Sequence, residues 1–277
     1  MKAAPVADYV LGSAEGEHYR LIRQGRRLGR FTEHLFREAG IGPGQRVLDI
    51  GSGVGDVALL VARLVGDAGS VVGVDRDADG LVKARARVAE VGLNNVQFIQ
   101  SDISALKDER QFDAAVGRFV LMFQPNTVEI LRTISARVRR GGVMVFQEAN
   151  WPAFLSQVAH LPLWTAAASL VGESLRRGGA CTDMAPVLFR GFQELGFPTP
   201  SMRLDVPIDQ GPDTRRWLYD LLLTMQPRMK DLGLTCESIG PIETLGARLE
   251  QELDDTHSFA AGVGLVGAWS RKPESRG

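Results

Sequence analysis

Val47-Leu48-Asp49-Ile50-Gly51-Ser52-Gly53-Val54-Gly55-Asp56, followed by the apolar run Val57 to Val65, decides how this chain is read. Four residues of buried-strand character run into three glycines at alternate positions, and a helical pattern begins at once. Side chains at those glycines would hold the backbone away from a ligand, and such a turn often needs positive φ. Free amides at the start of the following helix add partial positive charge facing whatever lies on the turn. The stretch reads as a ligand-binding loop on a strand–turn–helix unit. Its spacing departs from the dinucleotide fingerprint G-x-G-x-x-G, whose third glycine allows close helix–strand packing under a pyrophosphate. Asp56 holds that place, and an anion there opposes a pyrophosphate. Asp49, inside the strand, suits a cationic ligand or hydrogen bonds that keep the loop in shape.

Working outward, the pattern alternates. Gly66-Asp67-Ala68-Gly69 reads as a turn and Ser70 to Asp75 as a second strand, with Asp75 at its carboxyl end. A carboxylate there accepts hydrogen bonds from both ribose hydroxyls of an adenosine ligand, a logic that nicotinamide enzymes share. A helix over Asp77–Val91, a strand over Val96–Gln100 and the tripeptide Ser101-Asp102-Ile103 follow. Phe112 to Gly117 reads as a fourth strand, then Arg118 to Phe123, a helix Thr127–Val138, a turn Arg139–Gly142 and a strand Val143–Gln147. Five strand–helix units in alternation predict a parallel sheet with helices on both faces and right-handed crossovers. Ligands sit at the carboxyl ends of such strands, where Gly51, Asp75, Asp102 and Arg118 all fall.

These motifs, in this order, resemble motif I, hh(D/E)hGxGxG, and its successors in the class I S-adenosylmethionine (SAM)-dependent methyltransferases. The likeness is to the broad ubiquinone/menaquinone-type group acting on small molecules and covers roughly residues 20 to 150. It implies a ligand carrying a sulfonium and an ammonium. It also implies a cofactor seat of Asp49, Gly51, Ser52, Gly53 and Gly55, with Asp75 and Arg76 at the ribose. Asp102 would bond the adenine amino group and Ile103 pack on its ring, with a cap of the next turn as the lesser alternative for Asp102. Backbone carbonyls near Gly117 and Arg118 would receive the ammonium. The segment before motif I folds over the cofactor's amino-acid end in many such enzymes, so Arg20 and Gln24, one helical turn apart, would bind its carboxylate. A solvated arginine-rich helix is the alternative for that segment.

The flanks follow from pattern. Met1 to Gly12 reads as a loose arm and Ser13 to Ala39 as a helix that Gly40 stops. Beyond Glu148 the texture turns aromatic. Helical patterns cover about Pro152 to Arg177 and Thr214 to Leu232, a core helix Ala185 to Leu195, and strands Met202 to Ile208 and Ser258 to Ser270. The expected fold is α/β, a Rossmann-like seven-stranded and mostly parallel sheet with an antiparallel last strand, plus a helical cap insertion. Three segments are expected: residues 1–40 over the cofactor, a SAM-binding core at 41–150, and cap insertions with the last strands at 151–277. The extra helices should cover the cofactor cleft and bring Trp151, Phe154, Trp164, Trp217 and Tyr219 to a substrate pocket, although some of these aromatics serve only as core.

The formal net charge of −1 over 277 residues gives no field favouring nucleic acid or an anionic membrane, and no basic groove is visible. Cys181 and Cys236 lie far apart and outside any metal-ligand spacing, so no metal is expected and a reducing, cytoplasmic setting follows. No membrane span, nucleic-acid partner or oligomeric state is legible. Methyl transfer to the acceptor is an in-line displacement that rests on alignment, with a base where the nucleophile carries a proton. Glu148, ending the fifth strand, is the first candidate base, with a loop brace or helix cap as its alternative. His160 is the second. The expected activity is SAM-dependent methylation of an oxygen, nitrogen or carbon on a small, apolar or aromatic metabolite. A SAM-binding cyclase is the runner-up, and a nicotinamide oxidoreductase is disfavoured by Asp56.

Overall fold

Two compact units share the chain in a computed structural model that describes residues 15–106 and 111–274. The expected arm Met1–Gly12 lies outside the described residues. One unit gathers Leu28–Glu148, Met184–Leu204 and the described residues from Leu265. The other gathers the described residues up to Arg27, Ala149–Asp183 and Asp205–Gly264.

In the first half of the chain the elements alternate as the glycine turn promised. They are α1 (Glu15–Glu38), β1 (Arg46–Ile50), α2 (Asp56–Val65), β2 (Ser70–Asp75), α3 (Ala78–Glu90), β3 (Val96–Gln100), β4 (Phe112–Arg118), α4 (Thr127–Arg137) and β5 (Val138–Asn150). The second half of the chain adds α5 (Trp151–Val158), α6 (Pro162–Arg177), α7 (Ala185–Glu194), β6 (Ser201–Asp205), β7 (Ile208–Asp209), α8 (Pro212–Asp231), α9 (Leu245–Asp255), β8 (Ala260–Ala261) and β9 (Gly264–Arg271). The sheet runs β3-β2-β1-β4-β5-β9-β6, mostly parallel, with the last strand antiparallel. Strand order reverses between β1 and β4, which opens a crevice at their carboxyl ends.

Register decides what that crevice presents. Asp49 of β1 stands beside Gly73 of β2 and Val116 of β4, and Arg118 stands beside Gln147 of β5. Alternation along each strand therefore puts Asp49, Arg118 and Gln147 on one face of the sheet. Lower on that face Val47, Ala114, Val116, Val143 and Val145 pack beneath Leu35 and Phe36 of α1 and Val57 and Val61 of α2. An apolar floor thus ends, at the crevice, in three polar side chains.

Three expectations about elements need correction. Arg139–Gly142 is not a turn but the start of β5. The Gly141 amide and the Gly142 carbonyl pair with Lys272, and the ladder takes up a register shift between Phe112 and Ala114. The helix expected over Pro152–Arg177 is two helices. Proline has no N–H to continue α5 but suits a first turn, and the Glu252 carboxylate of α9 accepts from the Leu163 and Trp164 amides at 2.8 and 2.9 Å. Pro207 likewise splits the expected sixth strand, and β7 pairs antiparallel with β8 as a separate ribbon. Helix α9 has no counterpart in the sequence reading.

Candidate functional site

All three alternating glycines occupy the left-handed region, with φ of 65° at Gly51, 50° at Gly53 and 85° at Gly55. A Cβ on Gly51 would lie 2.6 Å from a Val120 methyl, so the position excludes side chains on two grounds. Hydrogen bonds then hold the loop. The Gly51 and Ser52 amides donate to the Val74 carbonyl at 2.8 and 3.1 Å, and the Gly55 amide to the Ser52 carbonyl at 2.8 Å. Asp75 clamps it from β2: one carboxylate oxygen accepts from the Gly53 amide at 2.7 Å and the other from the Asp77 amide at 2.9 Å. Each oxygen keeps lone-pair capacity for a further donor. The carboxylate expected at a ribose thus also shapes the turn.

Asp49 is completely buried, and neither of its oxygens has a hydrogen-bond partner. Burial pushes its carboxyl well above the usual aspartate range. Arg118 and, less strongly, the Ala58 backbone amide pull it back down, while Asp75 and Asp56 reinforce the rise. The buried Ser52 hydroxyl is also unpartnered. Unsatisfied buried acceptors are rare and costly, and they mark a place where something else completes the bonding. Beside them Arg118 donates to the Thr32 hydroxyl at 3.1 Å, and that hydroxyl lies 2.7 Å from Gln147 Oε1. Thr32 and Gln147 are completely buried, and neither was read from the sequence as a site residue. Asp56 faces Arg87, 2.7 Å away, and Arg87 also donates to the Val54 carbonyl. Its charge is spent inside the α2–α3 pair.

Asp102 caps the 3-10 turn that follows it, accepting from both the amide and the hydroxyl of Ser104 at 2.9 and 2.7 Å. Those bonds hold its carboxyl below the usual range. Its second oxygen lies 4.0 Å from Arg76, and Ile103 packs inward beside it. The Ser101 amide donates to the Asp75 carbonyl, tying the two acidic positions together.

Glu148 is fully buried at the end of β5. One oxygen accepts from the Val120 and Leu121 amides at 3.1 and 2.9 Å, the other from the Met122 amide at 3.2 Å. These amides belong to the loop whose Val120 packs on Gly51 and Gly117 and whose Phe119 takes φ of 55°. Such geometry fits the brace or cap that stood as the alternative to a general base. His160 is exposed and shares a 2.7 Å hydrogen bond with the Ser258 hydroxyl, a surface setting.

In the second unit Arg20 donates twice to Glu17, both at 2.6 Å, and to Gln24 at 2.7 Å. Arg20 and Gln24 do meet, but the guanidinium is neutralised by a glutamate the sequence reading passed over. Trp151, Phe154 and Trp217 form an edge-to-face triad with centroids 4.9 to 6.1 Å apart. Trp164 is wholly buried, with its indole N–H on the Leu249 carbonyl, and Tyr219 lies against Gly246 of α9. Those two serve the packing of α6, α8 and α9.

The fold and this seat define a class I SAM-dependent enzyme. Residues 41–184 match the family described as a methyltransferase domain, and the chain belongs to that family. S-adenosyl-L-methionine is its cofactor. A ubiquinone/menaquinone biosynthesis C-methyltransferase UbiE from Coxiella burnetii is 37% identical over 111 residues, 39% of this chain and 44% of that one. Its counterpart from Pseudomonas putida is 34% identical over 125 residues, 44% and 48%. The chain thus spans less than half the length of these curated relatives. The same fold recurs in YcgJ from Bacillus subtilis (TM-score 0.56, 17% identity, 90% of this chain and 99% of that one). It recurs also in the [4+2]-cyclase SpnF (TM-score 0.53, 19% identity, 89% and 81%).

The residues present fit the cofactor. A cationic sulfur nucleoside would answer the orphaned acceptors of Asp49, and the three left-handed glycines carry no side chain that would block its approach.

Proposed function

We propose that this protein transfers the methyl group of SAM to a small, largely apolar or aromatic acceptor. The observation that carries the reading is the buried, unpartnered Asp49 carboxylate at the head of a three-glycine turn that Asp75 clamps. Asp49, Gly51, Ser52, Gly53 and Gly55 hold the amino-acid end and the sulfur. Asp75 and Arg76 take the ribose, Asp102 and Ile103 the adenine, and Arg118 lies beside Asp49. The bound cofactor supplies a methyl already activated by positive charge. The chain's own contribution is to fix that methyl's line of approach and to exclude water. Glu148 acts as a positioning residue for the Val120–Met122 loop. The similarity to ubiquinone/menaquinone biosynthesis C-methyltransferases favours a carbon acceptor.

Incubation with SAM and candidate acceptors is expected to yield S-adenosylhomocysteine and singly methylated product in equal amounts. Product without S-adenosylhomocysteine would favour the cyclase-type alternative on the same fold. Asp75→Ala is expected to weaken SAM binding by about 1.5–3 kcal/mol, since it removes a charged acceptor. Calorimetry with SAM and NADH side by side checks both points. An unchanged SAM affinity would remove Asp75 from the site, and preferential NADH binding would overturn the cofactor.

Among the described residues no helix is long and apolar enough to cross a membrane, and no group of three or more acids, histidines or cysteines is placed to hold a metal.

A further inference from the structure

The seat built on β1 and β4 holds a cation beside its buried acid. Arg118 lies two residues, roughly 7 Å, beyond Val116, the β4 partner of Asp49, and on the same face of the sheet. It is half-buried, and one Nη–H goes to the Thr32 hydroxyl at 3.1 Å. Thr32 in turn lies 2.7 Å from Gln147 Oε1, which fixes the guanidinium from behind. Among the described residues the other N–H groups of Arg118 meet no acceptor, and they are not sealed in. The Nε2 of Gln147, on the far side of the same contact, is sealed in and unpartnered. Asp49 and Asp56 are the acids whose charge Arg118 feels. Asp49 makes no hydrogen bond to it, and Asp56 is paired with Arg87. Arg20, expected at the cofactor's carboxylate, is answered by Glu17 at 2.6 Å and belongs to the other unit, whereas Asp49, Arg118, Thr32 and Gln147 all belong to one.

We propose that Arg118, positioned by Thr32 and Gln147, binds the carboxylate at the amino-acid end of SAM. The inference rests on the SAM reading and deepens it. That end of the cofactor is a zwitterion, with an ammonium and a carboxylate on one carbon. Asp49 and Arg118, on one face of neighbouring strands, present the opposite pair, so each ligand charge meets its complement. The guanidinium fork matches a planar carboxylate in two-point contact, a task the single-point ammonium of lysine performs less well. The unpartnered Gln147 amide is a second donor beside it. Less water competes for a half-buried guanidinium than for a solvated one, so the contact is worth more there. A cofactor analogue without the carboxylate leaves the fork unanswered and is selected against.

The test titrates the full chain calorimetrically with S-adenosylhomocysteine and with its decarboxylated analogue, which keeps the ammonium and the nucleoside. Wild type is expected to bind S-adenosylhomocysteine at least about tenfold more tightly, the scale of one charge-assisted contact. Arg118→Met is expected to remove that preference by weakening S-adenosylhomocysteine, with the analogue held within about threefold of its wild-type affinity. Arg20→Met is expected to keep the preference. If Arg118→Met fails to fold, Arg118→Lys carries the test, with the preference narrowed at least about threefold because the fork is lost. Equal binding of the two compounds to wild type, a preference undiminished in Arg118→Met or Arg118→Lys, or one that Arg20→Met removes overturns the proposal and leaves the cofactor reading standing. Binding of neither compound to wild type overturns the cofactor reading, and the proposal with it.

Discussion

Titrating the free chain with SAM is expected to release protons, and Asp49→Asn is expected to stop that release. Asp49 is fully buried without a hydrogen-bond partner, and burial raises its carboxyl well above the ordinary aspartate range. An acid raised in this way keeps its proton in the free chain at pH values where an exposed aspartate has lost it. A cation placed beside it favours the ionised form, so binding expels the proton and affinity climbs as pH rises through the window between the ordinary and the raised position. The groups facing Asp49 are Arg118 from β4, Asp75 from β2, and Asp56 and the Ala58 amide from α2; Arg118 and the Ala58 amide oppose the rise, and the two acids add to it. Heats of SAM binding measured in buffers of different ionisation enthalpy read the release directly. Asp49→Asn should give buffer-independent heats and an affinity lower by about 1.5–3 kcal/mol, the loss of a charged acceptor. Identical wild-type heats in every buffer would mean that Asp49 does not face the cofactor's charge.

The same substitution should make the free chain's stability less dependent on pH. Asp49 raises the folded state's proton affinity, so it contributes most at acid pH and loses that contribution as pH climbs through its raised position. Asparagine carries no such term. Opposite trends with pH, binding strengthening while stability falls, are what distinguish a cofactor-facing carboxylate from a merely buried one.

Those residues were legible because local rules concentrate there. Gly51, Gly53 and Gly55 are written as glycine for a reason that needs no tertiary knowledge, positive φ at a turn that a ligand must approach. Asp75 follows from strand length and the carboxyl-end rule. What stayed hidden depends on long-range contact. Thr32 and Gln147 meet across 115 residues, and no periodicity in α1 or β5 announces that their side chains share a hydrogen bond. Nothing in the spacing of Glu17 singles it out as the partner that Arg20 folds onto. The start of β5 read as a turn because Arg139-Arg140-Gly141-Gly142 has turn composition, whereas Lys272, far down the chain, supplies the partners that keep it a strand. Glu148 shows the limit most plainly. Topology places a carboxylate at the end of the fifth strand, but only the loop's path decides that three amides fill its oxygens.

That path sets the second large effect. Burial raises the Glu148 carboxyl to about 7, with the Leu121, Val120 and Met122 amides drawing it downward against that rise. The folded protein therefore holds a proton there between its ordinary value of 4.5 and about 7 that the unfolded chain has lost. Stability contributed by this group is complete below pH 4.5 and falls by about 3 kcal/mol as pH rises through 7. Glu148→Gln, which cannot ionise, is expected to flatten that slope, as denaturant unfolding at pH 5 and pH 8 would show. The amide also turns an N–H toward a loop donor where a carboxylate oxygen stood. Loosening Val120 against Gly51 should cost roughly tenfold in SAM affinity, while turnover at saturating cofactor stays within about tenfold of wild type. A general base would give the reverse, a fall of ~100-fold or more in turnover at unchanged cofactor affinity. Measuring kcat and the SAM dissociation constant on one preparation tells the brace from the base, because each role moves the quantity that the other leaves alone.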